Sequence, residues 1–238
     1  MKSRAIVLRT FRYNDESLIT HLLTEQGGCV GMLVRISRSK RAAVRHSLFQ
    51  PLAVLQVEWD ERPHAELQRP KAAQAVLPFV SLPYDPHKSA MALFLADFLY
   101  YALRHEPASR SIFEYVASSI EWLDACNEGF ANFHLVFLMR LTRFLGFMPN
   151  VEGMKEGEWF DLRTADFVAE QPLHNDTLTP AYAILIPKLL RLRYGTMRLF
   201  RFRGTERSQL LSYINLYYRL HLPDFPELKS LSVLKELF

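Results

Sequence analysis

Leu52-Ala53-Val54-Leu55-Gln56-Val57-Glu58-Trp59 places Leu52, Val54 and Gln56 on one side of an extended chain and Ala53, Leu55 and Val57 on the other. The run ends at Asp60-Glu61-Arg62-Pro63, residues that favour a turn. Similar runs flank it: Arg4–Thr10, Leu18–Leu23 and Cys29–Ile36 upstream, Leu67–Ala75 downstream. Val, Ile, Leu and Thr dominate the set, and Asn14-Asp15 and Gln26-Gly27-Gly28 supply further breaks. Five short strands within residues 4–75 predict a small barrel or a curled sheet.

An OB-fold is one common example of such a barrel, and an SH3-like barrel fits the pattern nearly as well. After Pro83 the apolar period changes from 2 to 3.6, which marks a domain boundary near residues 80–81. Asp85-Pro86 reads as a helix cap followed by proline in the first turn, and Ser89–Leu103 is apolar on nearly every face, as a central bundle helix would be. Further helices are expected over Ser109–Ala125 and Phe130–Leu145, the latter closed by Gly146. Thr179-Pro180 begins a segment that Pro187 should interrupt, and Thr205 should cap a long helix through Leu220. The expected fold class is α+β, a domain over residues 1–80 and a mainly helical domain over residues 81–238.

The chain has 238 residues, 29 basic and 25 acidic, for a net charge of +4, with 49% apolar residues. Disordered, collagenous and disulfide-framework classes are excluded by that composition. Resolved by segment, the charge separates: 12 basic and 7 acidic residues over 1–80 (+5), 7 and 14 over 81–187 (−7), and 10 and 4 over 188–238 (+6). Two basic ends point to a polyanionic partner better than the net charge does, because a phosphate backbone meets a local field.

The first basic feature follows the third strand: Arg35, Arg38, Lys40, Arg41 and Arg45, with Ser37 and Ser39 between them and no acid. Cations of this density suit phosphate contacts, which release counterions, and imply no base readout. The second comprises Lys188, Arg191, Arg193, Arg198, Arg201, Arg203 and Arg207, with Glu206 its only acid. Interleaved Leu, Phe, Tyr and Met residues make that run structured. It is either a second phosphate surface or a counterweight to the acidic middle segment. On the third helix, Arg140 and Arg143 flank a stripe that includes Phe137 and Phe144, an arrangement able to clamp an acidic peptide with a terminal aromatic; ordinary helix-surface charge is the simpler alternative.

No G-x-x-x-x-G-K, G-x-G-x-x-G, G-x-S-x-G or H-E-x-x-H motif occurs, which argues against nucleotide hydrolysis. Glu152, Glu156, Glu158 and Asp161 lie together in sequence, but in a glycine-containing stretch that reads as a solvated loop rather than a metal centre. Two cysteines and no apolar stretch of spanning length predict a cytoplasmic protein.

Several weak motifs, in order, carry a stronger signal than any one of them. They are Ile6-Val7-Leu8-Arg9-Thr10 with Tyr13 and Ser17-Leu18-Ile19, the basic turn, Leu48-Phe49-Gln50-Pro51-Leu52 and Glu66-Leu67-Gln68-Arg69. They continue with Gly129–Leu138, Tyr217-Tyr218-Arg219-Leu220-His221-Leu222 and Leu228-Lys229-Ser230-Leu231. Along essentially its whole length the chain resembles the bacterial RecO recombination mediators.

The resemblance implies an N-terminal OB-fold, a helical domain, and often a four-cysteine zinc ribbon inserted in the latter. Here the corresponding stretch, about residues 149–179, has no cysteine, so a degenerate, zinc-free insert is expected and no cofactor or metal. The family usually has Gly where Ala5 stands. A non-enzymatic DNA-repair factor is implied, one that binds single- and double-stranded DNA and anneals complementary strands. Its implied partners are the single-strand-binding protein's acidic C-terminal tail, RecR and, indirectly, RecA. On this basis Arg35, Arg38, Lys40, Arg41 and Arg45 become DNA contacts, with Arg191, Arg193 and Arg198 on the second run. Phe137, Arg140, Arg143 and Phe144 become the tail groove. The alternative is a helical protein–protein adaptor with little DNA binding.

Overall fold

Thirteen consecutive residues, Lys2–Asn14, form the first strand (β1), and alternation within it decides how the N-terminal sheet is built. The computed structural model describes residues 1–36 and 43–237. The remaining strands of this sheet are β2 (Ser17–Thr24), β3 (Gly28–Arg35), β4 (Val54–Trp59) and β5 (Pro70–Ala75). They are followed by α1 (Pro86–Leu103), α2 (Arg110–Ala125) and α3 (Phe133–Leu145). Then come β6 (Trp159–Asp161), β7 (Asp166–Val168), β8 (Thr177–Leu178), α4 (Pro180–Ala183), α5 (Leu185–Arg191), α6 (Gly204–His221) and α7 (Lys229–Leu237). The class is α+β, with an antiparallel sheet first and a mainly helical remainder. No helix among the described residues is long and apolar enough to cross a membrane.

The chain divides into two units, Met1–Ala125 with Leu228–Leu237, and Cys126–Glu227. The change of pattern at Pro83 therefore lies within the first unit. Its sheet runs β3-β2-β1-β4-β5, all antiparallel. Thr24 shapes the β2–β3 turn by accepting from the Gly27 amide at 3.0 Å and donating to the Gly28 carbonyl at 2.9 Å, with Gly28 at φ +65°. The sheet curls until its edges touch: Leu33 N–H donates to Gln68 O at 2.8 Å and Gln68 N–H to Gly31 O at 2.9 Å. One parallel bridge joins the edges without a continuous ladder, so the sheet is curled and compatible with an OB-fold rather than fully closed.

Ala5, Val7, Leu22, Met32, Val34, Leu55, Val57 and Trp59 fill the inside of the curl. A bulge at Leu8 changes the alternation. Val7 pairs with Leu22 and Arg9 with His21, so Leu8 is the extra residue. Arg9 thereby leaves the inward parity of Ala5 and Val7 and shares the outer face with His21. β4 starts two residues later than its apolar run, at Val54, because Leu52 adopts φ +61° while its amide donates to Val7 O at 2.8 Å.

Asp85 caps α1 as expected, accepting from the amides of His87 and Lys88, with Pro86 in the first turn. The apolar circumference of α1 is explained by β1 on one side and α7 on another, within a mixed sheet–helix unit rather than at the centre of a helical bundle. α7 itself was not expected as a helix.

In the second unit α3 is buried along most of its length and packs against α5 and α6. Gly146 ends it at φ +84°. Tyr218 donates to Leu138 O at 2.7 Å and Tyr217 to Phe147 O at 2.6 Å, locking α6 to α3 and its exit. The expected insert carries an antiparallel sheet, β7-β6-β8, anchored by buried Phe160 and by the His221 ring at 2.8 Å from Leu162 O. Two helix boundaries differ from expectation. The break before α5 falls at Ile184, and Pro187 sits in the first turn of α5, where its missing N–H costs nothing. α6 is capped by Arg203 rather than Thr205, with the Arg203 amide donating to Glu206 Oε2 at 2.8 Å.

Candidate nucleic-acid interface

Positive charge that can meet a polyanion must be exposed, fixed in place and not already spent on a carboxylate. In the first unit Arg35 ends β3, is exposed, and lies 3.8 Å from equally exposed Glu16, a contact of little energetic weight. Arg45 is exposed and its carbonyl accepts from the Leu48 amide at 3.1 Å, opening a short 3₁₀ turn over His46–Leu48 that delivers buried Phe49 to the core. Arg38, Lys40 and Arg41, also expected here, lie outside the described residues.

The second basic run is built into its unit. Leu189, Leu192 and Met197 are buried while Lys188, Arg191, Arg193, Arg198, Arg201 and Arg203 between them are exposed. Asn132, just before α3, holds the segment down: its amide donates to Phe200 O at 2.7 Å and Met197 O at 3.4 Å. Thr196 closes the turn at Arg193, accepting from its amide at 3.2 Å. The Arg198 stem lies directly over Gly129, at φ +75°, where a β-carbon would stand 2.8 Å from Arg198 Cβ.

Among the described residues no carboxylate lies within 4 Å of any of these six cations. Their charge is therefore not spent on pairing with the acidic middle segment. Arg207, counted with the run in sequence, is different. It is half-buried, donates to Asn132 Oδ1 at 3.2 Å and Phe202 O at 3.4 Å, and desolvation lowers its pKa. It is a structural residue. Nearby, His134 is fully buried, and desolvation, with a smaller effect from Arg207, pushes its pKa down to about 3.

Arg140 and Arg143 emerge from α3 in the same unit. The Arg140 guanidinium lies 6.0 Å from the Tyr194 ring centre, and Tyr194 rests against Phe133 at 4.9 Å. Arg140 and the basic run, separate features in sequence, thus meet at Tyr194. Arg143 is exposed and Phe144 is 37% exposed. Phe137 is buried and stacked on Phe133, so it supports α3 from beneath and has no surface to offer.

The acids of the insert do not converge. Asp161 is buried, accepts from the Arg163 amide at 2.8 Å and lies 3.4 Å from His174, while Glu158 accepts from the Lys155 amide. Among the described residues no group of three or more His, Cys, Asp and Glu side chains is placed to hold a metal ion. Burial pushes the Cys29 thiol up to about 12.

A third feature escaped sequence reasoning: Arg9, Phe11 and His21 of the sheet gather with Tyr100 and Tyr101 of α1. The tyrosine pair Tyr100-Tyr101 near the end of α1 was the available signal, but the bulge that brings Arg9 and Phe11 to it is not readable from alternation.

The family model described as Recombination protein O N terminal matches residues 1–79, and that described as Recombination protein O C terminal matches residues 83–232. The chain is 52% identical over 238 residues to the DNA repair protein RecO of Bacteroides fragilis, covering 100% of this chain and 98% of the relative. It is 51% identical over 237 residues to that of Phocaeicola vulgatus, with 100% and 98% covered. Against the Flavobacterium psychrophilum protein of the same name the figures are 32% over 240 residues, with 100% and 99% covered. With both terminal models matched and relatives aligned from end to end, the chain belongs to the RecO family of DNA repair proteins.

Proposed function

We propose that this chain is a non-enzymatic recombination mediator that binds single- and double-stranded DNA, anneals complementary strands and helps load RecA on gaps coated by single-strand-binding protein. The observation that carries this reading is the band of exposed cations from Lys188 to Arg203, whose charged groups have no carboxylate within 4 Å among the described residues. Annealing requires two polyanions to approach, and cations that neutralise phosphates lower the repulsion between them. The DNA contacts are Arg191, Arg193 and Arg198 on the second unit, and Arg35, Arg38, Lys40, Arg41 and Arg45 on the first. Arg140, Arg143 and Phe144, with Phe137 beneath, take the acidic tail of single-strand-binding protein. RecR is the further partner, and the protein works in the cytoplasm at the nucleoid.

Fluorescence anisotropy with labelled single-stranded DNA across a salt series tests the reading. Affinity is expected to fall log-linearly with salt, and replacing Arg191, Arg193 and Arg198 by Ala together to flatten the slope by about 2. An unchanged slope would move the site to the first unit, where reversing Lys40 and Arg41 should then weaken binding. A chain that binds an acidic Phe-ended peptide but no DNA at low salt would be an adaptor instead.

A further inference from the structure

The outer face of β1 and β2, beside α1, carries an arrangement that packing alone does not explain. The Arg9 guanidinium lies 5.9 Å from the ring centre of Phe11, 5.3 Å from that of Tyr100 and 5.7 Å from that of Tyr101, and it donates to the Tyr101 hydroxyl at 3.0 Å. His21 sits between the strands and the helix, 4.8 Å from Tyr100 and nearly parallel to Phe11 at 6.3 Å. Phe11 nevertheless remains 44% exposed.

Several cations elsewhere in this unit have carboxylate partners: Arg4 has Glu25 and Glu114, Lys2 has Glu58, Arg12 has Asp15, Lys71 has Asp60. Among the described residues none lies within 4 Å of Arg9. Burial, then the Arg9 charge, hold the His21 ring below the ordinary histidine range, so at pH 7 it is a neutral ring that adds no second positive charge beside Arg9. An exposed ring beside a cation that lacks a counter-ion suits one ligand chemistry well. A nucleobase stacks on the ring and its phosphate meets the cation.

We propose that Phe11 is a stacking platform for an unpaired base of single-stranded nucleic acid, and that Arg9, oriented by Tyr100 and Tyr101, holds the adjoining phosphate. This rests on the DNA-binding reading above and adds a strand preference to it. Bases in a duplex are already stacked on one another, so the exposed ring gains nothing there, whereas an unpaired base gains a partner. The bulge at Leu8 is the local device that makes the site, since it turns Arg9 out of the inward parity of Val7.

The test compares a labelled oligo-dT with a duplex of equal length, using the full chain. Phe11→Ala is expected to weaken oligo-dT binding about tenfold and leave duplex binding as in the parent, and Phe11→Trp to restore it. Restoration by a different ring separates stacking from damage to the fold. Arg9→Gln should lower the salt slope for oligo-dT by about 0.7, the value for one phosphate on a single strand. Phe11→Ala binding oligo-dT like the parent, or losing both substrates equally, would overturn the platform and leave DNA binding standing. An unsubstituted chain that binds neither oligonucleotide at low salt would overturn both readings.

Discussion

The buried Lys88 ammonium donates to the Asp124 main-chain carbonyl at 3.2 Å, joining the start of α1 to the end of α2. It also donates to Ser81 Oγ at 2.6 Å, while the Asp124 carboxylate accepts from the amides of Val80, Ser81 and Leu82. The segment between sheet and helices is thus held by one acid and one lysine.

Burial alone would raise the Asp124 carboxyl, but three amide donors and Lys88 outweigh it and hold its pKa below the usual range. A depressed carboxylate contributes stability above its unfolded value near ~3.9, which is lost as pH falls through the folded value. Asp124→Ala leaves three amides without their acceptor and takes the negative charge away from the Lys88 ammonium, which keeps the main-chain carbonyl and Ser81 Oγ, and should cost about 3 kcal/mol in urea unfolding at pH 7. The variant should also show a flatter loss of stability below about pH 4 than the parent.

His134 gives the second unit a different acid response. Its folded pKa of about 3 lies below the unfolded value near ~6.5, so the unfolded chain takes up a proton first. Stability should therefore decline by about 1.4 kcal/mol per pH unit below ~6.5, until the folded pKa is reached. His134→Phe, which removes the titrating ring, should abolish that decline between pH 6 and 4, whatever its effect at pH 7. Chemical denaturation at several pH values, followed by a probe in the second unit, measures it.

Gly129 makes the position of Arg198, a proposed DNA contact, depend on a backbone that only glycine adopts comfortably. With φ at +75° and Arg198 Cβ 2.8 Å from where a methyl group would stand, Gly129→Ala must both strain the chain and displace Arg198. A loss of about 1–3 kcal/mol in thermal unfolding is expected. DNA binding should weaken at least as much as in Arg198→Ala, a comparison by anisotropy that separates displacement from simple loss of the charge.

Local signals account for what was legible before the fold was known. The five strands lie between turn residues that any reading would notice, and Asp85-Pro86 and Gly146 mark helix ends by their own chemistry. β6, β7 and β8 span only two or three residues each, too few for alternation to show. α7 has nine residues and owes its place to α1, far away in sequence. The site divides the same way. Exposed cations of the second run could be read as cations, but the structural role of Arg207 depends on Asn132, 75 residues away. The burial of Phe137 and the meeting of Arg140 with Tyr194 are likewise tertiary facts.

That meeting sets an expectation for the two ligands proposed for the second unit. A peptide held by Arg140, Arg143 and Phe144 would bring its acidic residues next to Tyr194, on the segment that carries Arg191, Arg193 and Arg198. Both ligands are polyanions and draw on neighbouring cations, so each should weaken the other, and linkage requires the two factors to be equal. An acidic Phe-ended peptide is expected to lower affinity for single-stranded DNA several-fold, and DNA to lower peptide affinity by the same factor. Arg140→Ala should reduce peptide binding with little effect on DNA alone. Anisotropy with either partner labelled reads both directions. Independent binding of the two, with no mutual effect at low salt, would separate the peptide site from the basic run and place it elsewhere on the chain.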